Sequence, residues 1–194
     1  MWVTFNVYII TIFNTYFNKV QDSTRLLEIP EDKVRKYTYQ IFHDIWKRDL
    51  ENSRKGECYN SFKQTMKFEP YLEKLKRKHR VILTKLRVSD HKLMIEQGRR
   101  TTPRIAPEQR TCMICPTKIE DEKHFIVECP LYGSRNSLFD IVTETFPNFE
   151  TLNNQQKFSF LMTQEDKNIT NKLVEELEKW LSLRNVISTY FLQP

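Results

Sequence analysis

The chain has 194 residues, with 31 Lys plus Arg against 25 Asp plus Glu, for a formal net charge of +6. Hydrophobic residues make up 39% and charged ones 29%, so a packed core under a heavily charged surface is expected, in one domain or one domain with an appendage. Thirteen Phe, eight Tyr and three Trp argue against wholesale disorder, and three Gly are too few for a glycine-rich nucleotide fold or a sheet of tight hairpins. The fold class left is mainly α.

Residues 1–28 open with an uncharged run from Met1 to Asn18. Trp2, Phe5, Ile9, Ile12 and Tyr16 recur at helical spacing, while Thr4, Thr11, Thr15 and Asn18 form a thin polar stripe. The pattern predicts an amphipathic helix whose apolar face needs a protein partner. A secretory leader would carry basic residues ahead of the apolar run, and none are present. A membrane span is unexpected with Asn6, Thr11, Asn14 and Thr15 inside the run.

Residues 29–110 read as a helical, basic region. Pro30 breaks the first element, and Val34 to Leu50 follows as a helix with Val34, Tyr37, Ile41, Ile45 and Trp46 on one face. A shorter helix is expected over Tyr59 to Phe68. From Tyr71 to Val88 the pattern Tyr71, Leu72, Leu75, Ile82, Leu86 predicts a helix opened by Pro70. Ser89-Asp90 offers a stop and a new cap, then His91 to Gln97 a short helix ended by Gly98. Arg99 to Arg110, with Pro103 and Pro107, should be a loop.

Charge is concentrated here. Residues 71–110 hold 12 Lys plus Arg against 4 Asp plus Glu, while the rest of the chain is close to neutral. Such a strip attracts polyanions, nucleic acid foremost. The competing reading is a solvated helix face. The candidate phosphate contacts are Lys74, Lys76, Arg77, Lys78, Arg80, Lys85, Arg87, Lys92, Arg99, Arg100, Arg104 and Arg110.

Residues 111–132 form a knuckle. Cys112, Cys115, His124 and Cys129 are spaced C-x2-C-x8-H-x4-C, in the style of a CCHC zinc knuckle. Two cysteines three apart present both thiolates on one side of a tight turn. Glu120 to Glu122 favour a helix start just before His124, with Cys129 near its end. Three sulfurs and one nitrogen close a tetrahedral set that suits Zn2+ in a structural role. A thioredoxin-like redox pair would leave His124 and Cys129 unexplained. A zinc deaminase needs a Glu two residues after the ligating His, where Ile126 stands. Clustered thiols of this kind point to an intracellular protein, nuclear or cytoplasmic. His43, His79 and His91 are expected as surface or core-edge histidines, and Cys58 as a plain thiol.

Residues 133–194 should be C-terminal helices packed on the knuckle. Tyr132, Leu138, Phe139 and Val142 face inward in a helix that starts at Pro130 and ends near Pro147. Gln155 to Met162 follows, then a long helix from about Lys167 to Phe191 through Ile169, Leu173, Leu177, Trp180 and Leu181.

Several of these residues together resemble a known family. Leu86-Arg87, His91, Ile95-Glu96 and Gly98-Arg99, then Cys112 to Cys115, His124-Phe125, Cys129-Pro130-Leu131-Tyr132 and a following Arg135 look like the zinc-binding tail downstream of reverse transcriptase domains. Such tails occur in LINE-type retrotransposons without long terminal repeats and in animal genes derived from them. The close match covers about residues 70 to 140. The resemblance implies zinc at the four ligands and a grip on element RNA or target DNA. It implies no catalysis here, because the aromatic-x-Asp-Asp turn of a polymerase palm is missing. A downstream nuclease would need a Pro-Asp, which the chain lacks; Asp121-x-Lys123 and Glu165-x-Lys167 stand alone. Two functional readings stay open: a non-catalytic nucleic-acid-binding module, and a zinc-stapled structural or protein-interaction domain.

Overall fold

A computed structural model describes residues 30–53 and 55–191. The helix expected over residues 1–28 lies outside the described residues. The chain divides into two compact units, Met1–Lys47 and Arg48–Pro194. Helix α1, Glu31–Glu51, begins in the first unit and ends in the second. It starts earlier than expected because the Pro30 carbonyl accepts from the backbone N–H groups of Lys33 and Val34 (3.0 and 3.2 Å). Within the first unit, the rings of Tyr39 and Trp46 lie 6.2 and 5.8 Å from that of His43. Val34, expected on a packed face, is 48% exposed.

The second unit carries α2 (Glu57–Phe62), α3 (Tyr71–Lys74), α4 (Arg77–Arg87), α5 (Met94–Arg100), α6 (Arg135–Thr145), α7 (Asn154–Thr163) and α8 (Lys167–Phe191). The knuckle sits between α5 and α6. No strand occurs among the described residues, and Thr111 and Ile119 form one isolated antiparallel bridge. The fold is therefore mainly helical, with the cysteine cluster set between helices.

Helix α8 is the centre of the core. Its Ile169, Leu173, Leu177 and Trp180 are buried, against Leu83 and Leu86 of α4 and Leu138 and Val142 of α6. Asp166 sets its start, since Oδ1 accepts from the N–H groups of Asn168 and Ile169 (2.8 and 2.9 Å). Asn153 and Gln156 close a reciprocal capping box on α7. Trp180 donates its indole N–H to the Ser134 hydroxyl at 2.7 Å, so the largest core side chain leaves no polar atom unpaired.

Three expectations on the basic side are corrected. The helix read over 71–88 is two helices, broken at Leu75 and Lys76, which are both extended. The break buries Leu75 and lets α4 turn Leu83 inward, leaving Ile82 half-buried. The helix after Phe62 does not continue to Phe68, because Lys63 turns extended and its ammonium reaches Glu69 at 2.5 Å. Gly98 does not end a helix at Gln97. It lies buried inside α5, directly beneath Arg110.

That glycine answers a close approach. A Cβ at position 98 would meet Arg110 Cγ at 2.8 Å. Arg110 cannot swing away, because its guanidinium donates to the Ile95 carbonyl (3.1 Å) and twice to that of Ile105 (3.0 and 2.9 Å). Gly98→Ala should therefore lower unfolding stability by about 1–2 kcal/mol in urea titration, despite alanine's better helix propensity. An unchanged or raised midpoint would show that Arg110 yields freely.

Candidate metal centre

The knuckle is a short antiparallel ribbon followed by a turn of wide helix. Cys112 N–H donates to the Lys118 carbonyl (2.8 Å), Lys118 N–H to Cys115 (2.8 Å), and Glu120 N–H to Arg110 (2.9 Å). These bonds fold the segment between the first two cysteines and His124 back on itself. His124–Glu128 then forms a π-helical turn, and the Cys129 N–H closes it on the His124 carbonyl at 2.7 Å. The wide turn sets Cys129 back beside the first cysteine pair.

The four predicted ligands come together. One ligand atom each from Cys112, Cys115, His124 and Cys129 all lie within 4.8 Å of one another, and three of the four residues are buried. The Sγ atoms of Cys112 and Cys129 are 3.9 Å apart. Neither ring nitrogen of the buried His124 has a hydrogen-bond partner. An imidazole buried without a hydrogen bond is costly; Glu128 stands 3.5 Å from Nδ1, and a cation held by this set would give the other nitrogen its partner. These residues can hold a metal ion. Burial, then the neighbouring Cys112 thiol, push the Cys129 thiol up to about 12. Thiolates thus form here at neutral pH when a cation shares their charge.

Charged side chains behind the ligands tie the knuckle to the helices. Glu120, 2% exposed, takes both oxygens to Arg184 of α8 (2.8 and 2.7 Å) and accepts the Met94 N–H that opens α5 (2.6 Å). Glu122 Oε1 accepts from the Ser89 hydroxyl (2.6 Å) and pairs with His91 Nε2 (2.7 Å). Burial alone would raise the Glu122 carboxyl, but the His91 and Ser89 contacts outweigh it and hold it below its ordinary value. Ser89, which closes α4, sits at φ 51°, and its bond to Glu122 helps hold that left-handed turn. Arg135 donates to the carbonyls of Val127 (2.6 Å) and Cys129, placing a buried cation against the thiol cluster.

Sequence reading took Glu120 and Glu122 only as a helix start, and missed Arg184. Aromatic rings beside a knuckle could stack a base, but Tyr132 takes the inward place that its spacing predicts, and Phe125 joins it in the core. Both are buried, with ring centroids 4.7 Å apart and both rings against Trp180, so neither reaches a ligand from solvent. His91 is a buried partner of Glu122, and His79 is half-buried beside Glu178.

The basic strip divides in two. Lys74, Lys76, Arg77, Lys78, Lys85, Lys92, Arg100 and Arg104 are exposed. Lys78 pairs with Glu178, and Arg100 with Asp90 at 3.2 Å. Arg80 and Arg99 are half-buried, the first donating to the Leu72 carbonyl at 2.6 Å and the second paired with Glu96 at 2.8 Å. Arg87 and Arg110 are corrections. Arg87 is 3% exposed, held by Glu69 and the Met162 carbonyl among the rings of Phe62 and Tyr71. Arg110 is spent on Ile95 and Ile105. Neither can meet a phosphate.

No helix among the described residues is long and apolar enough to cross a membrane. No family model, curated protein or solved structure matches this chain.

The buried Glu120–Arg184 pair yields a test. Glu120→Gln leaves the Arg184 guanidinium buried without its counter-charge, which should cost about 3–5 kcal/mol in chemical denaturation. A Glu120→Gln, Arg184→Met protein should recover part of that loss. A single variant as stable as wild type would place this pair outside the fold's supports.

Proposed function

We propose that the protein is a non-catalytic, zinc-stabilised nucleic-acid-binding module of the kind found in retrotransposon reverse transcriptase tails. The observation that carries the reading is the closed Cys3His cluster in a unit whose residues 71–110 keep eight cations exposed. Zinc is favoured by the donor set. A tetrahedron with metal–sulfur bonds of about 2.3 Å has sulfur–sulfur edges of about 3.8 Å, close to the 3.9 Å between Cys112 and Cys129. Four ligands leave no open position for a reacting water, which supports a structural ion. Glu128 Oε2, 3.5 Å from His124 Nδ1, is placed to orient the imidazole so that the other nitrogen would face a metal. Arg135 offsets the net negative charge of three thiolates on a divalent ion.

Purified protein should carry one zinc per chain. Cys112→Ser and His124→Ala should lose it, and chelation should melt the knuckle, because binding energy at such sites is folding energy of about 10 kcal/mol. Full zinc content with unchanged affinity in Cys129→Ser would show that the ligand set is wrong.

Exposed Lys and Arg bind phosphates with little sequence preference, and each neutralised phosphate adds about −0.7 to −0.9 to the slope of log affinity against log salt. Titration of single-stranded RNA and duplex DNA at several salt concentrations should give a slope of roughly −3 to −5. A combined Lys76, Arg77, Lys85, Lys92→Ala protein should flatten that slope by about 3 with zinc content unchanged. The interaction-domain reading has one observation in its favour. A groove between α4 and α8 has an apolar lining of Val81, Ile82 and Leu181, with Val81 46% exposed. Absence of nucleic-acid binding at low salt would hand the function to that groove.

A further inference from the structure

A cavity of about 260 Å³ lies between α2, α5, the knuckle and α7. Two of its walls are the buried carboxylates of Glu96 and Glu122, 3% and 5% exposed. Glu96 gives Oε1 to Arg99, and Glu122 gives Oε1 to Ser89 and His91. An ionised carboxylate has about four acceptor sites and no donor, so both residues keep acceptor capacity after these bonds. Phe158 and Ile95 supply apolar wall, and nearer to solvent the carboxylates of Glu57 and Asp121 are outnumbered by the cations Lys55, Arg99 and Lys123.

This chemistry selects a flat ligand with hydrogen-bond donors on one edge and negative charge outside. The volume falls just under the roughly 300–1,000 Å³ of pockets that enclose drug-sized ligands, which suits one base and not a whole nucleotide. Among the bases, guanine alone presents two adjacent donors, N1–H and the N2 amino group, on its pairing edge. Adenine and cytosine set a ring acceptor beside their amino group, and uracil flanks its one N–H with carbonyls. Those acceptors would face carboxylate lone pairs and be repelled. The edge is available only when the base is unpaired, and sequence-specific RNA recognition commonly takes such bases out of single strands.

Resting on the nucleic-acid reading, we infer that this cavity takes one unpaired guanine of a single strand. Its pairing edge is read by Glu96, and its flanking phosphates lie on Lys55 and Lys123. The module is then a single-strand reader with one preferred base, in addition to a phosphate-binding strip.

Fluorescence anisotropy with a labelled oligouridine, and with the same oligouridine carrying one central guanosine, tests this. The guanosine strand should bind wild type about tenfold more tightly or better, in the range of a good bidentate base contact. Ser61→Trp puts an indole into the cavity from an exposed position on α2, and Glu96→Gln replaces an acceptor pair by an amide. Both should erase the affinity ratio while zinc content and helical signal stay at the wild-type level. Equal affinity of wild type for the two strands overturns the inference and leaves the phosphate strip standing. So does a ratio that survives both variants. Failure of either strand to bind at low salt removes the nucleic-acid reading itself, and the inference with it.

Discussion

Two buried carboxylates in the knuckle hold the second unit together. The segment from Thr111 to Cys129 is too short to bury a core of its own, and below about 40 residues a domain needs a metal or another staple. Glu120 joins it to α8 through Arg184 and to the first N–H of α5, while Glu122 joins it to the end of α4 through Ser89 and His91. Each of these charges would be expensive to bury alone, and each is paired and hydrogen-bonded. The cluster and the helices are therefore one cooperative structure. Loss of the metal ligands would loosen the ends of the helices that carry the basic residues.

The elements with a simple apolar period were legible in the sequence. Helix α8 runs from Lys167 to Phe191 as its Ile169, Leu173, Leu177, Trp180 pattern indicates, and α7 and α6 lie close to their expected places. The four side chains that could hold a metal ion were legible too, because spacing in a ribbon followed by a helical turn constrains where their donor atoms point. What was hidden is the inward role of charge. Arg87, Arg110, Arg135, Arg184, Glu120 and Glu122 all lie inside, yet composition assigns such residues to water. A buried charge is readable only together with its partner, and a partner stands 5 residues away for Arg110 but 64 for Arg184.

Gly98 and the break at Leu75 show a second kind of hidden information. A glycine near a helix end reads as a stop, since that is its commonest local use. Here it makes room for a side chain twelve residues later, and nothing in the local pattern announces the crossing. At Leu75 the apolar spacing ran through a gap occupied by Lys76 to Arg80, which a continuous helix and two helices satisfy equally well. Tertiary burial of Leu75 and Leu83 made the choice.

Burying two arginines changes what the basic strip can do without removing its field. Phosphate contacts are short-range, so Arg87 and Arg110 drop out of any count of displaced counterions. Their charges still contribute to the potential over a screening distance of about 8–10 Å. Arg87 has Glu69 beside it and adds little beyond that range, whereas Arg110 is satisfied by carbonyl dipoles and has no ion pair among the described residues. Steering toward any polyanion would depend on this summed field, and the salt slope of a complex with one would depend on the exposed cations alone. A strip read from sequence as twelve equivalent charges thus divides by burial: eight reach solvent, Arg80 and Arg99 are half-buried, and Arg87 and Arg110 act only through their field.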